Sequence, residues 1–195
     1  EKTVLHEAAQ VFSHLMEQER QLARRKKQEA EELVYNKVMV PRAGEYSLTL
    51  SDGTRVWLNS DSEIRYPVAF GKDRRTVFLS GEAYFEVEKD AERPFYVVLD
   101  GMEVKVYGTS FNVNTHYQGK ILTTLVEGKV GIRVKSTGAE CILRPNQMAE
   151  FDREKEEVEV TDVDTYYYTA WRAGEFVFQN ETIEEIMDRI AAVLR

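Results

Sequence analysis

Apolar and polar side chains alternate in short runs through the middle of the chain, from about residue 35 to residue 164. An Asp52-Gly53 turn signal separates two such runs, at residues 46–50 and 56–58, and this predicts a β-hairpin. Glycines lie between or beside the later runs, as is typical of short strands joined by tight turns. Further strands are predicted at residues 64–70, 77–79, 83–87, 95–99, 104–106, 111–113, 121–126, 130–134, 142–143 and 158–160.

Strands spaced about ten residues apart, without a helical period, predict a mainly β fold. Periodicity alone does not distinguish a sandwich from a barrel or a β-solenoid. The sequence has no strict repeat, so a solenoid would be irregular. We therefore expect an irregular β-solenoid or sandwich-like domain over residues 35–165.

The first zone, residues 1–34, has neither glycine nor proline and is rich in residues that favour helices. It predicts one long helix with a narrow apolar stripe. We expect the stripe to pack on the chain's own β domain, because a coiled coil with another copy needs more sustained heptads. A basic run at residues 24–27 is followed by glutamates one helical turn later, which favours a solvated helix face over the alternative, a contact with lipid headgroups.

The last zone, residues 166–195, predicts a strand at 174–178 and a helix at 182–194. Thr182 and Glu185 have the spacing of a capping box, and apolar residues recur on one helix face. One strand and one helix cannot bury both of their faces. We therefore expect this zone to be the start of an incomplete α/β domain.

Composition and spacing argue against a reaction centre. A formal net charge of −8 argues against nucleic acid as the main partner, and the three histidines lack metal-ligand spacing. No Gly-x-Ser-x-Gly elbow or phosphate-binding loop is present. Glu82 and Glu86 share a strand face, as paired glycosidase carboxylates would, but the polar side of a half-buried strand explains them more simply. We predict no enzyme activity, no cofactor and no metal.

A carbohydrate-binding β module is the alternative from another class. Trp57, Trp171 and the tyrosines are aromatic rings of the kind that stack on sugar faces. Trp57 lies in an alternating strand, however, where a packing role is simpler.

A series of motifs resembles the FecR family of envelope regulators, from about Val38 to the C-terminus. No single motif is specific, but their order is. The motifs are PRAGEY (41–46), LSDGTRVWLNS (50–60), YP (66–67), LSGEAYFEV (79–87), RPF (93–95), VYGTSFNV (106–113), TLVEGKV (124–130) and Trp171 with Gly174. Two departures are Ala43, where the family often has a second glycine, and Asn146, where glycine is common.

The resemblance implies the periplasmic part of a transmembrane anti-sigma factor, tethered to the inner membrane. In such systems a TonB-dependent outer-membrane transporter presents its signalling domain to the regulator, which controls an extracytoplasmic-function sigma factor through a cytoplasmic segment absent from this sequence. The first helix would be the juxtamembrane connection. The last zone resembles the start of a domain related to the short N-terminal domain of secretins and TonB receptors. Its expected partner-binding residues are Trp171, Phe176 and Phe178.

Overall fold

A computed structural model describes residues 15–22, 33–175, 177–178, 182–184, 186–187 and 190. Fourteen strands form two seven-stranded sheets. In spatial order, the first sheet contains β1 (Tyr35–Val40), β4 (Ser62–Pro67), β5 (Arg75–Ser80), β7 (Phe95–Val98), β8 (Met102–Val106), β11 (Val130–Val134) and β12 (Glu140–Leu143). The second contains β14 (Glu157–Asp162), β13 (Gln147–Asp152), β10 (Lys120–Glu127), β9 (Ser110–Tyr117), β6 (Glu82–Glu86), β3 (Arg55–Leu58) and β2 (Tyr46–Thr49).

The strand order confirms the predicted mainly β class. Each sheet ends on two different edge strands, so neither sheet closes into a barrel. From β2 onward the chain alternates between the sheets, mostly two strands at a time. Neighbouring strands are antiparallel, except that β5 and β7 run parallel because β6 crosses to the other sheet between them. The solenoid description stays a prediction.

Glycines stand where the chain passes between the sheets. Gly81 joins β5 to β6 at a φ of +104°, and a Cβ at this position would lie 2.5 Å from Cα of Ser62. Gly128 joins β10 to β11 at a φ of +96°, and its Cβ would lie 2.9 Å from the carbonyl oxygen of Gly108. Both crossings need the left-handed backbone and the close approach that only glycine permits.

One apolar core lies between the two sheets. Alternate residues of each strand point into it, which buries the apolar half of the predicted pattern. Phe85 and Phe111 of the second sheet stack with centroids 5.1 Å apart, and Phe95 of the first sheet lies 6.2 Å from Phe85. These rings join the two sheets through apolar contact.

Two strands were missed from the sequence. β1 is an edge strand with mostly exposed side chains, so its alternation is weak. β13 carries Met148, Ala149 and two acidic residues, which are poor strand formers, and its pairing with β10 and β14 overrides that propensity. The predicted run 64–70 ends as a strand at Pro67.

The terminal zones differ in part from the predictions. Residues 15–22 are helical, residues 33 and 34 are not, and the rest of the predicted N-terminal helix lies outside the described residues. The strand predicted at 174–178 is wrong for its described residues, because the chain there has no neighbouring strand with which to pair. Within the predicted C-terminal helix, residues 183–184, 186–187 and 190 are helical.

A buried ion pair ties the β2–β3 turn to the first sheet. Nη1 of Arg75, at the start of β5, lies 2.7 Å from Oδ2 of Asp52, and their side chains are 0% and 4% exposed. The same guanidinium donates to the carbonyl oxygens of Glu88 and Arg93, at 2.8 and 3.0 Å. Thr54 donates its amide and hydroxyl to the Asp52 carboxylate. The charges are thus compensated by several hydrogen bonds, as buried ions require.

Replacing Asp52 with Asn is expected to lower the free energy of unfolding by about 3–5 kcal/mol, because Arg75 would stay buried without its anion. Urea denaturation measures the change. The control is Glu63→Gln, which removes the exposed partner of Lys37 and should cost less than about 1 kcal/mol. Equal losses in the two variants would contradict the structural role of the buried pair.

Ala43 has a φ of 59°, in the left-handed region where a Cβ is unfavourable. Ala43→Gly is therefore expected to raise the free energy of unfolding by roughly 0.5–1 kcal/mol. Asn146, at a φ of 64°, is the matched control, since asparagine tolerates this region and Asn146→Gly should gain less. A loss of stability in Ala43→Gly would show that no strain is stored there.

Candidate functional site

The face of the second sheet that points away from the core carries a continuous row of side chains. The β-ladder register aligns Trp57, Tyr84, Asn112, Thr124 and Met148 on β3, β6, β9, β10 and β13. Each of these residues has at least one chain neighbour on its strand that belongs to the apolar core, so the row lies on the opposite side. We call this surface the outer face.

The centre of the outer face is closed to water. Tyr84, Asn112 and Thr124 are only 3%, 2% and 1% exposed. Side chains on an uncovered sheet face would be in contact with solvent. Another part of the chain therefore covers them.

The covering segment is the connector, which we define as residues 163–175. It leaves the end of β14 and forms one helical turn, Tyr166–Thr169, followed by a 3₁₀ turn, Ala170–Ala173. The Asp164 carboxylate accepts the amide hydrogen of Tyr166 at 3.0 Å. Gly174 ends the second turn with a φ of 72°.

Two adjacent side chains of the connector bind the outer face. Nε1 of Trp171 donates to Oδ1 of Asn112 at 3.3 Å. The Arg172 guanidinium carbon lies 3.5 Å from the ring centroid of Tyr84 and 5.4 Å from that of Trp57. Nη1 of Arg172 also lies 3.4 Å from Oε1 of Glu86. Arg172 thus combines a stacked cation–π contact with an ion pair.

The two glutamates of β6 hold this surface in place. Glu82 accepts hydrogen bonds from the side-chain amides of Asn112 and Asn59, at 2.9 and 2.8 Å. Glu86 pairs with Arg55 as well as with Arg172. The carboxylates share one strand face, as the alternation predicted. Both are engaged in contacts within the protein, which fits the interpretation that they form the polar side of the strand better than a pair of glycosidase carboxylates.

Burial raises the pKa of the Tyr84 phenol above its ordinary value, and the nearby positive charge of Arg172 acts in the opposite direction. Because desolvation is the larger effect, the pKa of the phenol lies further above neutral pH, where the ring is uncharged. The Arg172 guanidinium therefore stacks on Tyr84 as a cation on a neutral π face.

The predicted partner-binding residues have different surroundings. Trp171 is half-buried, with its indole nitrogen bound to Asn112. Phe178 is half-buried in a stretch without regular structure, and Phe176 lies outside the described residues. Partner binding by these three residues stays a prediction. The carbohydrate alternative would need a free ring face at Trp57 for a sugar to stack on. The guanidinium groups of Arg55 and Arg172 lie over that ring.

The roles of Arg172, Tyr84 and Asn112 were not predicted from the sequence. One signal was present: Asn112 is a polar residue between two apolar ones, Phe111 and Val113, both of which lie in the core. Polar groups on a buried sheet face need partners, which would have pointed to a covering segment.

Neither a metal centre nor a membrane span is seen in the part of the chain that the structure describes. No three His, Cys, Asp or Glu side chains there are placed to hold an ion. No helix there has the length and apolar character needed to cross a bilayer.

Comparison with known proteins gives consistent results. The family model described as FecR protein matches residues 36–131. Two crystal structures from Parabacteroides distasonis ATCC 8503, each of a protein designated an anti-sigma factor, are similar to this chain. The 2.50 Å structure has a TM-score of 0.75 and 30% sequence identity, and the match covers 82% of this chain and 75% of that one. The 1.65 Å structure has a TM-score of 0.74 and 31% identity, over 81% and 74%.

Comparison with curated protein sequences gives no match. The structural matches combine about 30% identity with coverage of about three quarters of each relative. The family model also contains the hairpin of β2 and β3 and the strands β6 and β9 that carry the centre of the outer face. The chain therefore belongs to the FecR family of anti-sigma factors.

Proposed function

We propose that this chain is the periplasmic sensing and relay part of a FecR-type anti-sigma factor. In this proposal it is tethered to the inner membrane through residues 1–34 and receives a signal from a TonB-dependent outer-membrane transporter. It then controls an extracytoplasmic-function sigma factor through a cytoplasmic segment. Family membership supports the regulatory role. The transporter, the membrane tether and the class of sigma factor are the steps that the proposal adds.

The closed outer face is the observation that supports a relay most directly. Trp171 and Arg172 fix the connector to β6 and β9, so the chain that follows Gly174 starts from a defined position on the β domain. We call the contact between the connector and the outer face the seam. A partner that binds the C-terminal residues would therefore act on the seam. Such a relay needs protein contacts and no reaction centre.

We further propose that residues 166–195 begin a C-terminal α/β domain whose remainder binds the transporter. Ile183 and Met187, one turn apart in the C-terminal helix, are 76% and 56% exposed. Large apolar side chains at this spacing form a stripe that is normally covered. The similar crystal structures contain longer chains, of which the match covers about three quarters.

The complete periplasmic segment is expected to bind the signalling domain of its cognate transporter weakly. Isothermal titration calorimetry at high protein concentration measures the heat of binding, with the signalling domain of an unrelated transporter as the control. Weak binding is expected because a signalling contact must reverse. Absence of heat with the cognate domain, or equal heat with both domains, would contradict the proposal.

Within that complex, Phe178→Ala is expected to weaken binding several-fold, since aromatic side chains carry much of the energy of protein interfaces. Val68→Ala is the matched control, because Val68 is an exposed apolar residue of the β domain away from the C-terminal zone. The same calorimetric titration compares the two variants. Equal affinities would place the contact outside the C-terminal zone.

A further inference from the structure

The seam between the connector and the outer face resembles a small protein–protein interface inside one chain. Tryptophan and arginine, the two residues that the connector contributes, are common among the residues that dominate binding energy at such interfaces. Their contacts on the sheet are a side-chain amide, a carboxylate and a tyrosine ring. The seam thus differs in chemistry from the apolar core between the sheets.

Polar groups within the seam are incompletely paired. Nε of Arg172 is buried and has no hydrogen-bond partner among the described residues, and the same holds for the hydroxyl of Thr124, which lies beside Asn112 in the β9–β10 ladder. Buried polar groups without partners lower the stability of the state that buries them. The docked state of the connector is therefore less favourable than its contact area alone would suggest.

The connector is held together mainly by its own hydrogen bonds. The amide of Tyr168 donates to the carbonyl oxygen of Thr165, and the amide of Glu175 donates to that of Ala170. The Thr169 hydroxyl donates to the carbonyl oxygen of Thr165, and the Tyr166 hydroxyl pairs with the Glu175 carboxylate. One backbone bond joins the connector to the β domain, from the amide of Val163 to the carbonyl oxygen of Asn146 at 2.9 Å. No β-ladder of the described strands includes a connector residue. Moving residues 164–175 away from the sheet would therefore leave this bond and the strand pairing intact.

We infer that the connector is a releasable latch. The outer face binds the Trp171-Arg172 turn reversibly, and the β domain keeps its fold when the turn leaves. Release exposes Tyr84 and the carboxylate of Glu86 as a binding surface specific for a Trp-Arg turn, and frees the chain after Gly174 to move. This inference concerns the chain alone and does not depend on the transporter partner proposed above.

Hydrogen exchange tests the latch in the intact chain. Arg172→Ala is expected to speed exchange of the connector amides and of the Trp171 indole hydrogen by about tenfold or more, because the docked state loses its stacking and ion-pair contacts. Amides of β3, β6 and β9 should keep their parental rates. The matched control is Arg65→Ala, which removes a guanidinium stacked at 4.1 Å on Phe78 of the first sheet.

Three results would overturn the latch. Exchange in β6 and β9 could rise by the same factor as in the connector, exchange in the connector could stay unchanged, or Arg172→Ala could fail to fold. The first and third would show that the connector is an integral part of the β domain. The second would show that Arg172 contributes nothing to docking.

A peptide of residues 163–175 supplies the second test. Labelled with a fluorophore, it is expected to bind saturably to a chain that carries Trp171→Ala and Arg172→Ala, and at least tenfold more weakly to the parent, whose surface is already occupied. A peptide with the same two substitutions is the control. Equal binding of the two peptides, or no binding of the first to the double variant, would overturn the inference.

Discussion

Arg75 and Asp52 meet inside the protein, where neither charge has water to stabilise it. An isolated buried charge is very costly, so the turn that carries Asp52 and the strand that begins at Arg75 must be positioned together. The guanidinium also binds the carbonyl oxygens of Glu88 and Arg93, which follow β6 and precede β7. One side chain thus joins the β2–β3 hairpin of the second sheet to β5 of the first sheet and to the single loop that runs from β6 to β7. The apolar core supplies most of the burial, and this pair specifies how the two sheets meet.

The geometry of the outer face depends on that arrangement. Trp57 follows the Asp52 turn on β3, and Tyr84 and Glu86 lie on β6, just before the loop that Arg75 binds. A shift of the hairpin relative to β6 would separate the ring of Trp57 from that of Tyr84, which now lie 5.9 Å apart. Arg172 contacts both rings. The β3–β6 ladder pairs Trp57 directly with Tyr84, and the hairpin that the buried charges position therefore also carries part of the surface on which the connector rests.

Local patterns predicted much of the β domain. The Asp52-Gly53 hairpin is present, and Gly128 and Asn146 both have positive φ, because turn chemistry acts over a few residues. Arg75, Val77 and Leu79 occupy alternate positions of β5, which puts the Arg75 charge on the core side of the strand. The carboxylate that pairs with it was not predicted. It is 23 residues away in the chain, and no local period links the two.

The candidate site was predicted less well than the fold. Trp171 was singled out as a partner-binding aromatic, yet its indole binds Asn112, 59 residues earlier in the chain. The alternation of Phe111, Asn112 and Val113 puts Asn112 on the strand face opposite the core, but no local pattern indicates the segment that covers it. A strand at 174–178 was expected because its residues have strand propensity, and in its described residues no neighbouring strand is there to pair with. Long-range contacts decided both outcomes.

Transcription controlled by the sigma factor tests the central claim, that the seam between the β domain and the connector transmits the signal. Cells would carry the full-length regulator with Arg172→Ala, and a reporter promoter would be measured with and without the inducing signal. In Arg172→Ala the ratio of induced to uninduced expression is expected to fall toward one, while Arg65→Ala retains the parental ratio. A parental ratio in Arg172→Ala, with the protein present at normal abundance, would contradict it.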